Sequence, residues 1–142
     1  MSKKPKGVAA LKKDLWTVFA KYCKYTRHTD SYVNCFTCDA NLQIGTSNCQ
    51  LGHWLPKGGY PYHYFNEDNV RPQCYHCNIN LSGNSEVFRR RLIDEIGIDR
   101  LNEIYDTRHT LEKRSAGWYS DKIADYKDKL HELLGHDSFT VR

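Results

Sequence analysis

Four cysteines stand as two tight pairs, Cys35-Phe-Thr-Cys38 and Cys74-Tyr-His-Cys77, with 35 residues between them. Thiolates at that spacing on a tight turn can both face one ion, and two such corners complete the tetrahedral set that a structural zinc takes. A closed four-thiolate site has no open coordination position, so zinc held there would contribute folding free energy and take no part in chemistry. Disulfides among the six cysteines are the weaker reading, because no apolar run with a small-residue cleavage site marks a secretory signal. Cys23 and Cys49 have no partner at ligand spacing and are expected to be small buried apolar residues.

Between and beside the cysteine corners lie His53 in Leu51-Gly-His-Trp54, Asn69 in Phe65-Asn-Glu-Asp-Asn69, and Asn78 directly after Cys77, an order that resembles the HNH or ββα-metal nuclease motif, in which a hairpin supplies a histidine and an asparagine and the next helix opens on a His or Asn metal ligand. Hydrolysing a phosphodiester needs a base near neutral pH to activate water, and an unperturbed imidazole titrates at about 6.5. His53 is therefore the expected general base. A divalent cation, Mg2+ or Mn2+, must offset charge on the scissile phosphate and the departing oxygen, and the Asn78 carboxamide is a suitably hard ligand. Asn69 is expected to tie the loop to the strand carrying His53 through side-chain hydrogen bonds. Singly these residues mean little, since lone histidines are commonly surface or core groups and asparagines mark turns. Their order around two zinc corners is much more specific. One departure stands out: many HNH enzymes carry an acidic or histidine ligand just before the base, and here that position is Gly52. The second ligand stays open among His53 itself, Ser82, His63 and Asp68, or water and the DNA phosphate.

These groups must be positioned by elements that the pattern of apolar residues suggests. Leu11, Leu15, Val18, Phe19 and Tyr22 recur at helical spacing over 9–25, with lysines on the other face. Residues 32–44 read as a short ribbon carrying the first corner, and 49–55 and 65–71 as strands joined by an aromatic loop at 56–63. A helix from Asn78 or Ser85 to Ile96 should bury Val87, Leu92, Ile93 and Ile96, with Gly97 as its stop. Residues 99–106 fit a short helix, and 115–134 a longer one with Trp118, Ile123, Tyr126, Leu130, Leu133 and Leu134 inward. The expected class is α+β: one domain over 1–142, made of an N-terminal helix (8–30), a zinc-bound HNH core (31–96), a C-terminal helical part (97–134) and a frayed tail (135–142). With 39% hydrophobic residues and no apolar run of the roughly 20 residues that span a bilayer, the chain is not a membrane protein.

The stretches Cys35-Phe-Thr-Cys38, Gly52-His53, Phe65-Asn-Glu-Asp-Asn69, Gln73-Cys-Tyr-His-Cys-Asn78, Leu81-Ser-Gly-Asn84 and Arg91-Leu-Ile-Asp-Glu-Ile-Gly97 resemble the NinG (Rap) recombination proteins of lambdoid phages, over roughly 10–134. Endonuclease VII of T-even phages is a more distant likeness. The resemblance implies an endonuclease acting on branched recombination intermediates such as Holliday junctions and D-loops, in the cytoplasm of the bacterial host, possible company with other recombination proteins included. Paired nicks would favour a homodimer, with the 115–134 helix as the pairing surface.

The charge balance, 21 basic against 17 acidic residues, permits an anionic partner without requiring one. Lys57, after the His53 strand, and Arg89, Arg90 and Arg91, on the helix after Asn78, are placed to reach DNA phosphates. Side chains about 100° apart on a helix cannot all face one way, so one of the arginines should be solvated or paired with Glu86 or Asp94. Trp54, Tyr60, Tyr62 and Tyr64 fit packing over the zinc module better than wedging into a junction. Two other readings compete: a zinc-stabilised DNA-binding module without catalysis, and an HNH nickase acting on linear duplex.

Overall fold

The computed structural model describes residues 4–135, so the tail expected over 135–142 lies, past Gly135, outside the described residues. The chain gathers into two compact units, one running to Thr26 and resuming at Lys113, the other Arg27–Glu112.

In the first unit, α1 (Val8–Tyr25) buries Leu15, Val18, Phe19, Ala20 and Cys23, the face that the apolar spacing forecasts. It packs on α4 (Ala116–Leu134), whose buried residues are Tyr119 and Tyr126. The Tyr126 ring meets Phe19 edge-on at 5.1 Å and Tyr22 at 5.4 Å. Ser115 caps α4 by accepting the Trp118 amide at 3.1 Å, and Gly135 ends it at φ +70°. The stripe on α4 is narrower than expected: Leu133 is 42% exposed, and Trp118 lies half-buried under the Arg114 guanidinium at 4.4 Å.

The second unit holds two antiparallel pairs. In the first, β1 (Tyr32–Asn34) and β2 (Asn41–Gln43) bracket the Cys35–Cys38 corner. In the second, β3 (Gln50–His53) pairs with β4 (Val70–Gln73), Gln50 opposite Gln73 and His53 opposite Val70. The second strand thus begins later than the 65–71 expected. Asn66 accepts the Asp68 amide at 3.0 Å and folds Glu67–Asn69 into a 3-10 turn, and pairing starts only after it.

After β4 the chain does not enter an α-helix at Asn78. His76–Asn80 is a single π-helical turn, closed by the Leu81 amide on the His76 carbonyl at 2.9 Å. Ser82, Gly83 and Asn84 then all take positive φ, +50°, +93° and +48°, which no α-helix can continue through. Only after this break does α2 (Ser85–Ile96) begin. Gly97, at φ +85°, ends α2 and starts α3 (Ile98–Asp106). Phe88 and Leu92 are the fully buried residues of α2; Val87, Ile93 and Ile96 are half-buried. Phe88, Leu92, Ile93 and Ile96 join Phe36 and Leu101 in one cluster, while Val33, Leu42 and Cys49 surround the cysteine corners in another. Cys23 and Cys49 are both buried, as expected of small apolar residues. No described helix is long and apolar enough to cross a membrane.

Candidate functional site

The sulfur atoms of Cys35, Cys38, Cys74 and Cys77 all lie within 4.8 Å of one another. A tetrahedral zinc with Zn–S bonds of about 2.3 Å separates its sulfurs by about 3.8 Å, and Cys38 and Cys74 stand 3.7 Å apart. Protein groups already aim at the sulfurs. The Cys74 amide donates to Cys35 Sγ at 3.3 Å, the Cys77 amide to Cys74 Sγ at 3.4 Å, and Asn84 Nδ2 to Cys77 Sγ at 3.9 Å. Burial alone would raise the Cys35 thiol, but bonds from the Cys74 amide and Thr37 overcome it and hold the group at about 6. Burial and the neighbouring thiols push Cys38 up to about 12. Four thiols so crowded need a shared cation before all can ionise. The donor set fits a structural metal such as zinc.

Each corner is anchored to the hairpin. The Phe36 amide donates to the Pro72 carbonyl of β4 at 2.8 Å. Arg91 grips Asp39 with both terminal nitrogens, at 2.9 and 3.2 Å, and donates to the Phe36 carbonyl at 2.9 Å. Arg91 therefore latches α2 to the first corner, with Asp39 rather than Glu86 or Asp94 as its partner. Arg89 and Arg90 pair with Glu86, at 3.0 and 3.7 Å, and Arg90 stays 64% exposed.

His53 ends β3. Its Nε2 lies 3.0 Å from the Tyr64 carbonyl, which can only accept, so Nε2 carries the proton and Nδ1 the lone pair. Burial, with a smaller push from Lys57 against the pull of the Tyr64 carbonyl, lowers the imidazole to about 4, below the ordinary value expected from sequence. It is neutral at pH 7 and ready to accept a proton. In an NMR titration of the histidine rings, His53 should stay neutral through pH 6 and titrate near pH 4; a midpoint near 6.5 would show the burial to be ineffective.

Asn69, fully buried, performs the tie expected of it geometrically. Its Oδ1 accepts the Leu55 amide at 2.9 Å, and its Nδ2 donates to the Leu55 and His63 carbonyls at 3.2 and 3.1 Å. This closes the aromatic loop against β4. Of the alternative ligands, His63 is 4% exposed and held between Asn66 and Thr107 at 3.0 and 2.9 Å, and Asp68 pairs with Arg100 at 2.8 Å. Both serve the loop. The aromatic residues in and beside it pack on their neighbours: Trp54 against the cluster of Phe36, Phe88, Leu92 and Leu101, Tyr60 on His109, Tyr62 on His63 and Tyr64 on His53.

The residue that spacing could not reveal is Gln73. Its side chain is fully buried, and Nε2 donates to Thr37 Oγ1 at 3.0 Å and to the Gly83 carbonyl at 2.9 Å. Gln73 is a diagonal neighbour of Gly52 across the β3–β4 ladder, and fills the space a side chain there would occupy. A Cβ on Gly52 would stand 1.8 Å from Gln73 Oε1 and 3.0 Å from Asn78 Oδ1. Gly52 is thus required by its neighbours, and Gly52→Ala should lower stability by about 2 kcal/mol or more, read as a drop in melting temperature. Asn78 is oriented by a second glutamine. Gln50 Nε2 donates to the Ser47 carbonyl at 3.2 Å, which turns Oε1 toward Asn78 Nδ2 at 2.8 Å. With its nitrogen so engaged, Asn78 presents Oδ1 to the space beside Gly52. Two carboxamide oxygens converge there, and Gln73 Oε1 has no hydrogen-bond donor among the described residues, a state that costs about 1–3 kcal/mol in a buried site. An orphaned hard oxygen next to a second one fits a divalent cation.

Comparison with known proteins gives one consistent result. The profile of the family described as Bacteriophage Lambda NinG protein matches residues 2–135. Protein ninG of Escherichia phage lambda is 28% identical over 109 residues, 77% of this chain and 52% of that protein. Protein ninG of Salmonella phage P22 is 30% identical over the same shares of each. The chain therefore spans about half the length of the curated relatives it matches. No solved structure matches it.

Proposed function

Because the chain belongs to the NinG family of bacteriophage proteins, we propose that it is a metal-dependent endonuclease of the HNH type, cleaving branched DNA intermediates of phage recombination, with a four-cysteine zinc as its scaffold. One observation carries the reading. His53, its tautomer set by the Tyr64 carbonyl, and Asn78, its oxygen set by Gln50, both border the same short hairpin.

In the proposed reaction, His53 Nδ1 accepts a proton from water as the water oxygen bonds to phosphorus. The P–O3′ bond breaks, leaving a 5′-phosphate and a 3′-hydroxyl protonated from solvent. A bound Mg2+ or Mn2+ supplies stabilisation of the charge that gathers on the phosphate and departing oxygen. Asn78 Oδ1 would be a ligand to it. Asn69 keeps the Leu55–His63 loop closed and so holds Tyr64 against the imidazole. The depressed pKa of His53 suits a group that meets an anionic phosphate, since the phosphate raises it again on binding. Lys57 and the exposed Arg90 offer phosphate contacts, whereas Arg91 is committed to Asp39. Cutting both strands of a junction would take two copies of the chain.

The glycine at 52 in place of an acidic ligand favours the competing reading, a zinc-stabilised DNA-binding module without catalysis. A cleavage assay on four-way junction, D-loop and linear duplex, in Mg2+ or Mn2+, separates them. Incision of the branched substrates in preference to duplex is the expected result. Binding with no incision in either metal would end the enzyme reading, and equal cutting of linear duplex would leave an HNH nickase instead.

A further inference from the structure

We propose that Gln73 is the second protein ligand of the catalytic cation, its Oε1 taking the role that a carboxylate or imidazole at position 52 would otherwise fill. The inference rests on the nuclease reading for its biological meaning and on geometry for its content. Gln73 Oε1 and Asn78 Oδ1 lie 1.8 Å and 3.0 Å from one point beside Gly52, so they are no farther apart than those distances combined. Two oxygen ligands of one Mg2+ or Mn2+ stand about 3 Å apart when adjacent and about 4.2 Å apart when opposite, separations that fall within that limit. Both amide nitrogens are engaged elsewhere, Asn78 Nδ2 on Gln50 and Gln73 Nε2 on Thr37 and Gly83. Both oxygens therefore face the same space, and Gln73 Oε1 is buried without a donor among the described residues. The glycine is a consequence of the arrangement: only a residue with no Cβ leaves room for the Gln73 carboxamide.

Two neutral oxygens bring no charge to a divalent ion. The free protein should therefore bind the cation weakly, and DNA phosphate should supply the negative ligands that complete the site. Cation and DNA would then bind cooperatively, each raising the affinity for the other by the same factor.

The test uses the zinc-loaded full chain with Mn2+ or Mg2+ alone as probe. Free Mn2+ is measured by electron paramagnetic resonance for wild type, Gln73→Glu and Gln73→Met, with a thermal melt of each. Gln73→Glu adds a carboxylate beside the ion and should tighten Mn2+ binding about tenfold or more; Gln73→Met, which keeps length but no oxygen, should weaken it by a similar factor. Gln73→Met also loses the bonds to Thr37 and Gly83, so a variant that fails to fold is replaced by a measurement on wild type. With 13C-labelled glutamine, Mg2+ should shift the Gln73 carboxamide carbon. A carbon unmoved by saturating Mg2+, or a folded Gln73→Glu chain with wild-type Mn2+ affinity, overturns the proposal and leaves Oε1 bonded to water only. Failure of the two readings is separable. Gln73-dependent Mn2+ binding without DNA cleavage sinks the nuclease and keeps the site; cleavage with Gln73-independent binding does the reverse.

Discussion

Stripping zinc with a strong chelator, or replacing Cys77 with serine, is expected to unfold the Arg27–Glu112 unit. Zinc binding to four-cysteine-type sites is worth roughly 10–16 kcal/mol in small peptides, comparable to or larger than the roughly 5–15 kcal/mol that keeps a whole domain folded. Here the ion would join both corners, and the corners organise nearly everything around them. Cys35, Cys74 and Cys77 belong to the Val33–Leu42 cluster, the Phe36 amide docks the first corner on β4, and Arg91 ties it to α2. Cys77 also opens the path to the candidate site, because Asn78 follows it and the Gly83 amide bonds its carbonyl at 2.9 Å. Zinc loss and cation loss should therefore occur together. Circular dichroism with a chromogenic zinc assay would read both stoichiometry and collapse; a chain that keeps its melting transition after losing zinc would show that packing alone holds the unit.

His53→Ala is expected to behave in the opposite manner, lowering cleavage by about 10²–10⁴-fold, the usual contribution of a positioned base, while leaving the fold standing. Its Nε2 bonds the Tyr64 carbonyl, worth about 1 kcal/mol, and Asn69 independently holds the loop that carries Tyr64. The melting temperature should thus fall by only a few degrees. A His53→Ala chain that cuts as fast as wild type would remove His53 from the role of base.

Much of this was legible from residue order. Paired cysteines two residues apart can hardly be placed except as corners, and the apolar spacing over 9–25, 99–106 and 115–134 gives α1, α3 and α4 to within a residue at either end, although the N-terminal helix drawn to residue 30 stops at Tyr25. The helix after Asn78 was legible only from Ser85, because the break at Ser82, Gly83 and Asn84 is a matter of backbone conformation that no periodicity encodes. The second strand was misplaced because Asn66 builds a turn where the residue types also suit a strand. Phe88 escaped the apolar stripe drawn through Val87, although it is the more deeply buried of the two. Nothing in residue type foretells the burial of Arg71, 5% exposed and paired with Glu95 at 3.0 Å, or of Gln73, fully buried. Their burial depends on what lies across the hairpin. A glycine where related motifs place a ligand was the available hint, since a missing side chain leaves a space that something else must fill.

The hairpin that carries His53 has a ladder of only four residue pairs, and so short a ladder discriminates poorly between alignments. A slip of one residue would turn Gln73 away from Gly52 and carry Cys74 about 3.3 Å along the strand. Metal–ligand bonds tolerate about 0.2 Å. A misaligned hairpin could form its backbone bonds but could not close the ring of four sulfurs. Zinc capture would then act as a checkpoint on strand alignment during folding, selecting the single pairing in which the residues of the candidate site meet.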